Sequence, residues 1–557
     1  MRRAVVVALA FVLTVLVSHA QQKPSLANLK TRPESTDYKS TSTYDDVVTF
    51  MKAVDEASPI IFYTTYGTTF EGRAMPMAVV GTGLKDASPA SVKASGKLRV
   101  HIQANVHAGE VEGKESCLVL LREFALGQHR DWLQSMVFLV TPIYNADGNE
   151  KFALNNRQRQ NGPVNGMGTR ANAQNLNINR DYMKLDTPEA QAFVKLWNDY
   201  DPYVGYDLHT SDGSAHGYYL TYSPPLNPDT DPRIMKIMTD EWFPYVTTDM
   251  KTKHGWDSFY YGNAATPGGH GGRGRGAGRG DAAAGQPPAT PPPAPPAPAG
   301  PREWRTFEHV PRFHNSYVGL RNRFALLSEA YAYATFEDRI KATNDFLQAS
   351  LDFAAKNAAE LEKAVADADR EKVVGTTLST SAKMKRGGMV EILMGEVEDE
   401  KNPVSGAVMN RRKDVVKPEQ MVDMMWFEPA ATETVPSAYY VPADATKAIE
   451  LLKAHGLQMQ QTGQPVQGVE QFAIETNTLA PPPAFEGHSI RKLEGKWQAA
   501  PDVAVPSGAW EIPMNQPLAR LAFYLLEPAS DDGLVAWNAL DDRLGESVKT
   551  FPIARKK

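Results

Sequence analysis

Apolar positions along this chain recur with two different periods, and the two take turns. From Tyr44 to Pro59, "YDDVVTFMKAVDEASP" places Val47, Val48, Met51 and Val54 on one helical face. "RAMPMAVVG" and "KLRVHIQANVH" then read as strands. In the second, Leu98, Val100, Ile102, Ala104 and Val106 alternate with polar positions. "VEGKESCLVLLREFAL" returns to a helical period, and "MVFLVTPIYN" is a short apolar run of the kind that forms a buried strand. "TPEAQAFVKLWNDY" predicts a helix with Thr187 as its cap and Pro188 in its first turn. "YVGYDLH" and "RFALLSEAY" are two further strands, and a long helix is expected from roughly Thr335 to Lys372. Strands alternating with helices indicate an α/β domain with a parallel or mixed sheet.

Two segments depart from this pattern. Residues 262–300 are rich in Gly, Pro and Ala and too poor in apolar side chains to pack a core, so they read as a flexible surface insertion. After about residue 373, short β-like runs ("GGMVEILMG", "SAYYVP", "QFAIETN", "GAWEIPM") are separated by Pro- and Gly-containing turns, with one helix in "DATKAIELLKAHG". This predicts a smaller β-rich domain over 373–557, following an α/β domain over 21–372.

The N-terminus changes the picture of where the protein works. Arg2 and Arg3 precede an apolar run from Ala4 to about Ser18, and Ser18 and Ala20 suit a signal peptidase. A secretory signal peptide over 1–20, cleaved near Ala20, is expected, and with it a periplasmic or secreted bacterial protein. No later run is long and apolar enough to span a membrane. The single cysteine, Cys117, lies in the apolar helix "SCLVLLREF", which excludes intrachain disulfides, cysteine-based zinc sites and a cysteine nucleophile. A formal net charge of -6, from 59 basic and 65 acidic side chains, argues against nucleic acid or an anionic membrane as the main partner.

Candidate chemistry sits at the strand ends, where α/β sheets bind ligands. His107 follows the strand ending near Val106, and Glu110 lies one tight turn on. Alone, H-x-x-E is common, and an ordinary His/Glu salt bridge explains it. His209 closes "YVGYDLH" and completes a two-histidine, one-carboxylate set, which leaves an open position on a zinc ion. Glu329 ends another strand in an otherwise apolar run, as a general base would; Glu337 is its rival but sits in a helix's first turn, where acids are favoured anyway. Between the ligands lie "NADGNEKFALNNRQRQ" and "NLNINRDYMKL". Arg180 beside Asn179 suits a substrate carboxylate, Arg159 suits an oxyanion, and Arg157 and Arg170 read as solvated loop residues.

The order H-x-x-E, N-x-D-G, Asn-Arg, strand-end His, strand-end Glu resembles the zinc metallocarboxypeptidases related to carboxypeptidase A, over roughly Tyr44 to Phe353. The resemblance implies one zinc ion per chain on His107, Glu110 and His209, with Glu329 as base and then proton donor to the leaving amine. It implies that Asn179 and Arg180 hold the substrate's terminal carboxylate, that Arg159 polarises the scissile carbonyl, and that Asn145 is a structural turn residue. The implied fold is a mixed, mostly parallel eight-stranded sheet flanked by helices. Tyr317 is the nearest candidate for the family's substrate-capping tyrosine, and Arg321 and Arg323 are further substrate contacts or surface residues. The implied partner is a peptide with a free C-terminal carboxylate. Peptidoglycan stem peptides and an inactive peptide-binding relative are the alternatives.

Overall fold

The structure is a computed structural model that describes residues 26–266 and 300–557. The signal peptide expected over 1–20 and nearly all of the insertion expected over 262–300 lie outside the described residues. Among those described, no helix is long and apolar enough to cross a membrane.

Ten strands precede residue 373: β1 (Ile61–Thr68), β2 (Ala74–Val80), β3 (Leu98–Ala104), β4 (Met136–Thr141), β5 (Val204–Ser211), β6 (Leu220–Ser223), β7 (Ser258–Tyr260), β8 (Asn263–Ala265), β9 (Glu303–Arg305) and β10 (Phe324–Tyr331). Eight of them form one sheet in the order β1-β2-β4-β3-β5-β10-β6-β7. Its centre, β4-β3-β5-β10, is parallel, and β1-β2-β4 and the β10–β6 pair are antiparallel. The mixed eight-stranded sheet flanked by helices, expected from the sequence, is the one observed.

Local chemistry explains the flanking helices. Thr43 and Asp46 form a reciprocal capping box at the start of the helix Tyr44–Ala57, whose buried side is Val47, Phe50, Met51 and Val54. Thr187 accepts from the Ala190 N–H and Pro188 opens the helix Pro188–Tyr200. The long helix expected to Lys372 is instead two, Phe336–Lys356 and Ala358–Arg370, broken at Asn357, whose backbone leaves the helical region.

Strand β3 differs from its sequence pattern in an instructive way. Alternation suggests a half-exposed strand, yet every residue from Leu98 to Ala104 is buried. One face packs into the apolar core; the other carries a polar network in which His101 meets Thr141 and Trp197, and Gln103 donates to Tyr182 and Asp207. Polar side chains are tolerated there because they are hydrogen-bonded.

The remaining strands are β11 (Thr377–Lys385), β12 (Met389–Lys401), β13 (Val408–Met424), β14 (Trp426–Thr434), β15 (Ala438–Val441), β16 (Gln460–Gln461), β17 (Val469–Leu479), β18 (Arg491–Ala500), β19 (Trp510–Pro513) and β20 (Thr550–Lys556). They form a six-stranded sheet, β16-β19-β15-β20-β17-β18, a β11-β14 pair, and the sheet β12-β13-β9-β8, which takes two strands from before residue 300 or just after it. A continuous apolar cluster joins Val79, Leu139, Phe193 and Trp197 on one side of the main sheet to Tyr439, Phe472, Phe523 and Ile553. The C-terminal region is packed onto the catalytic sheet through core, not through a linker.

Candidate active site

The site is built where β3 and β5 end. After Ala104, Asn105 turns the chain through a left-handed conformation (φ 62°), and its side-chain amide donates to the carbonyls of Ala108 and Glu110. This fixes the turn that carries His107 and Glu110 before the helix Glu112–Ala125 begins. His209 is the sixth residue of β5. Asn145 accepts from the Gly148 N–H, the turn role expected of it.

Three buried side chains converge. Glu110 Oε1 lies 3.0 Å from His107 Nδ1 and Oε2 lies 2.8 Å from His209 Nδ1. One candidate ligand atom from each of His107, Glu110 and His209 lies within 4.8 Å of the other two. The outer ring nitrogens are engaged elsewhere: His209 Nε2 is 2.8 Å from Asp207 Oδ2, and His107 Nε2 is 3.0 Å from Asn177 Oδ1. Asn177 Oδ1 also accepts from the Asn179 N–H, so it is an acceptor and His107 Nε2 must donate to it. That leaves the His107 Nδ1 lone pair aimed at a carboxylate oxygen, an arrangement that asks for a cation between them. Asp207, as an ionised carboxylate, imposes the same tautomer on neutral His209. Two imidazole nitrogens and a carboxylate are a good donor set for zinc, so the residues fit the metal.

The charges agree with this. Burial, then Arg170, pushes His107 down to about 3, so it is a neutral ligand. Burial opposes charge on His209, but Asp207 and Glu110 outweigh it and hold the imidazole well above its ordinary value, which marks a position that attracts positive charge. Burial likewise opposes charge on Glu110, and His107 and Arg157 hold its carboxyl well below the usual range.

Glu329 lies on β10 directly across from His209 in register, so their side chains leave the sheet on the same face. Burial pushes its carboxyl up to about 8 against the pull of His209, and its carboxylate makes no hydrogen bond among the described residues. Arg180 lies under Phe313, its guanidinium carbon 4.0 Å from the ring centre, and donates to the Asn179 carbonyl at 2.6 Å. It makes no ion pair among the described residues, and burial, then Arg170, pulls it down to about 9. Beside it, Asn179 keeps a buried side-chain oxygen with no partner.

The structure places several of the expected residues differently. The Arg159 side chain is 62% exposed and faces Asp399 and Asn410 on the β12–β13 hairpin, away from the three ligands. Arg157 and Arg170, expected to be solvated, are the guanidinium groups that reach the site. Arg157 donates to Glu110 Oε1 (2.9 Å) and the Thr210 carbonyl, and Arg170 lies 3.2 Å from His107 Nδ1 with its side chain 34% exposed. Tyr317 is fully buried and hydrogen-bonds His455 and Arg321, so it cannot cap a substrate. Arg321 and Arg323 are also structural, bonded to Asn198 and the His455 carbonyl, and to Asp201 and Asp369. Tyr261, which no motif pointed to, is half-buried beside Asn263, and desolvation, then Glu329, pushes its hydroxyl well above the usual tyrosine range.

The zinc carboxypeptidase family profile matches residues 47–225. Carboxypeptidase 2 of Trichophyton rubrum is 31% identical over 176 residues, which is 30% of this chain and 28% of that protein. Probable carboxypeptidase 2 of Arthroderma benhamiae is 32% identical over 145 residues, covering 25% of this chain and 23% of the relative. The chain thus spans about a quarter of the curated relatives it matches. Among solved structures, a metallo-carboxypeptidase from Burkholderia cenocepacia is 17% identical with a TM-score of 0.39, covering 57% of this chain and 70% of its own. One from Pseudomonas aeruginosa, solved with (2-guanidinoethylmercapto)succinic acid, is 14% identical with a TM-score of 0.37, covering 58% and 70%. His107, Glu110, Arg170, Arg180 and His209 all fall inside the matched stretch, and it is over residues 47–225 that the chain is similar to the zinc carboxypeptidase family.

Proposed function

We propose that this protein is a zinc-dependent carboxypeptidase that hydrolyses the last peptide bond of substrates ending in a free carboxylate. The observation that carries this is Arg180: a half-buried cation with no ion pair among the described residues, three residues from the Asn177 that holds His107. Burying an unpaired charge is costly, and an arriving carboxylate relieves the cost. The side-chain NH2 of Asn179, next to Arg180, is a further donor for the same group.

His107, Glu110 and His209 would hold zinc, which would supply Lewis acidity for attack on the peptide carbonyl. Glu329, unbonded and aimed from the neighbouring strand, takes the proton of the attacking water and passes it to the leaving amine. Burial holds the Glu329 carboxyl up at about 8, and a cation held by the three ligands would favour its ionised, base form. Arg170, at the rim and partly exposed, takes the oxyanion role first assigned to Arg159. Asp207 and Asn177 fix the two histidine rings. The expected leader peptide would place this hydrolysis outside the cytoplasm, and we assign 373–557 as an accessory region that walls the cleft.

Paired substrates of one sequence, with free and amidated C-termini, test the clamp. The free acid should be cleaved with a kcat/KM roughly 100-fold higher, the worth of about 3 kcal/mol of charge-assisted pairing. Equal rates on the two would exclude a carboxypeptidase.

A further inference from the structure

The C-terminal region sends one tight turn to the metal site. In "PPPAFEGHSI", between β17 and β18, Phe485 and His488 exchange both backbone hydrogen bonds, at 2.8 and 3.0 Å. The two residues between them, Glu486 and Gly487, are both left-handed, with φ of 48° and 84°. Such two-residue turns favour Asn, Asp or Gly at the first position, because a longer side chain with a left-handed backbone is strained. Glutamate is a poor choice for the turn itself, and strain of this kind collects where function requires it.

The side chain explains the choice. Glu486 Oε2 accepts the backbone N–H of Asn177 at 2.8 Å. Asn177 Oδ1 in turn accepts from His107 Nε2 and from the Asn179 N–H. The turn is held in place from behind: His488 bonds Asp186 and Asn538, and Phe485 lies between Trp537 and the Arg312 guanidinium. A single hydrogen bond from the far end of the chain therefore fixes the short segment that orients a metal ligand and presents Arg180.

We infer that Glu486 is a positioning residue for the metal centre and the carboxylate clamp, so that the C-terminal region completes the active site. The metal half stands on the donor set alone; the clamp half rests on the proposed carboxypeptidase function. Zinc affinity, measured on the full chain by chelator competition, tests the first without any substrate. Glu486→Ala and Glu486→Asn should weaken zinc binding roughly 10-fold, the low end for loss of a ligand's outer support. Glu486→Gln keeps an acceptor oxygen and should stay within about threefold of the parent, a rescue that a purely electrostatic role would not give. Glu486→Asn suits the left-handed position, so its thermal midpoint should be kept or raised while its zinc affinity falls, which separates positioning from folding. Unchanged zinc affinity in both the Ala and Asn variants, or a Gln variant as weak as Ala, would overturn the metal half. For the clamp, Glu486→Ala should raise KM for free-acid peptides more than it lowers kcat, and an unchanged KM would overturn that half alone.

Discussion

Under the proposed function, Arg180 and Glu329 are the two side chains that would separate a peptidase site from a simple metal-binding cluster. Arg180→Met should leave zinc in place and raise KM for free-acid substrates, with kcat/KM falling roughly 100-fold. Glu329→Gln should cut kcat by roughly 10²- to 10⁴-fold with zinc still bound; a near-parental rate would remove Glu329 from the base role. Tyr317→Phe distinguishes core from cleft. It removes a hydroxyl shared by His455 and Arg321, so it should cost about 1–2 kcal/mol of stability by calorimetry while kcat and KM stay unchanged. The grouping of His107, Glu110 and His209, and the position of Glu329 across from His209, were legible in the sequence because strand ends and a short motif point to them. The choice among Arg157, Arg159 and Arg170 was not. They lie in an irregular segment where a left-handed backbone at Arg157 (φ 46°) decides which guanidinium turns inward, and no periodicity reports that. Tyr317 sat in an apolar helical stretch, where a buried role was the plainer expectation.

At the scale of elements, the parallel strands were legible because their apolar runs are unmistakable, while the polar face of β3 was not, since buried polar residues look exposed in sequence. That hidden polar inventory has a pH signature. Burial holds His101, His216 and His455 down to about 3 and His314 down to about 4, so the fold keeps all four neutral. Below about 6.5 the unfolded chain takes up protons that the folded chain refuses, so stability is lost as pH falls from 6.5 towards 4. Each histidine can remove up to about 1.4 kcal/mol per pH unit in that window. Thermal midpoints of the zinc-loaded protein should fall steadily from pH 6.5 to 4.5, and a flat or rising profile would contradict the neutral assignment. The break between the helices Phe336–Lys356 and Ala358–Arg370 escaped the sequence reading because the helical period of apolar residues continues across Asn357.

Over the whole molecule, one apolar cluster runs from the main sheet into the β-rich region, and the Glu486 turn reaches the segment that holds His107. The change in sequence texture near 373 was legible; the shared core was not, because it joins residues hundreds of positions apart. Cutting the chain at 372 would expose Phe193, Trp197 and their neighbours. That fragment should aggregate or lose near-ultraviolet circular dichroism, and a soluble, ordered fragment would show that the two regions are independent. The central claim is tested most directly by digesting a mixed peptide library with the full chain and following the masses released, with and without a zinc chelator. Stepwise loss of residues from free C-termini, abolished by chelator and restored by zinc, is the expected result. Internal cleavage, or trimming that survives the chelator, would contradict it.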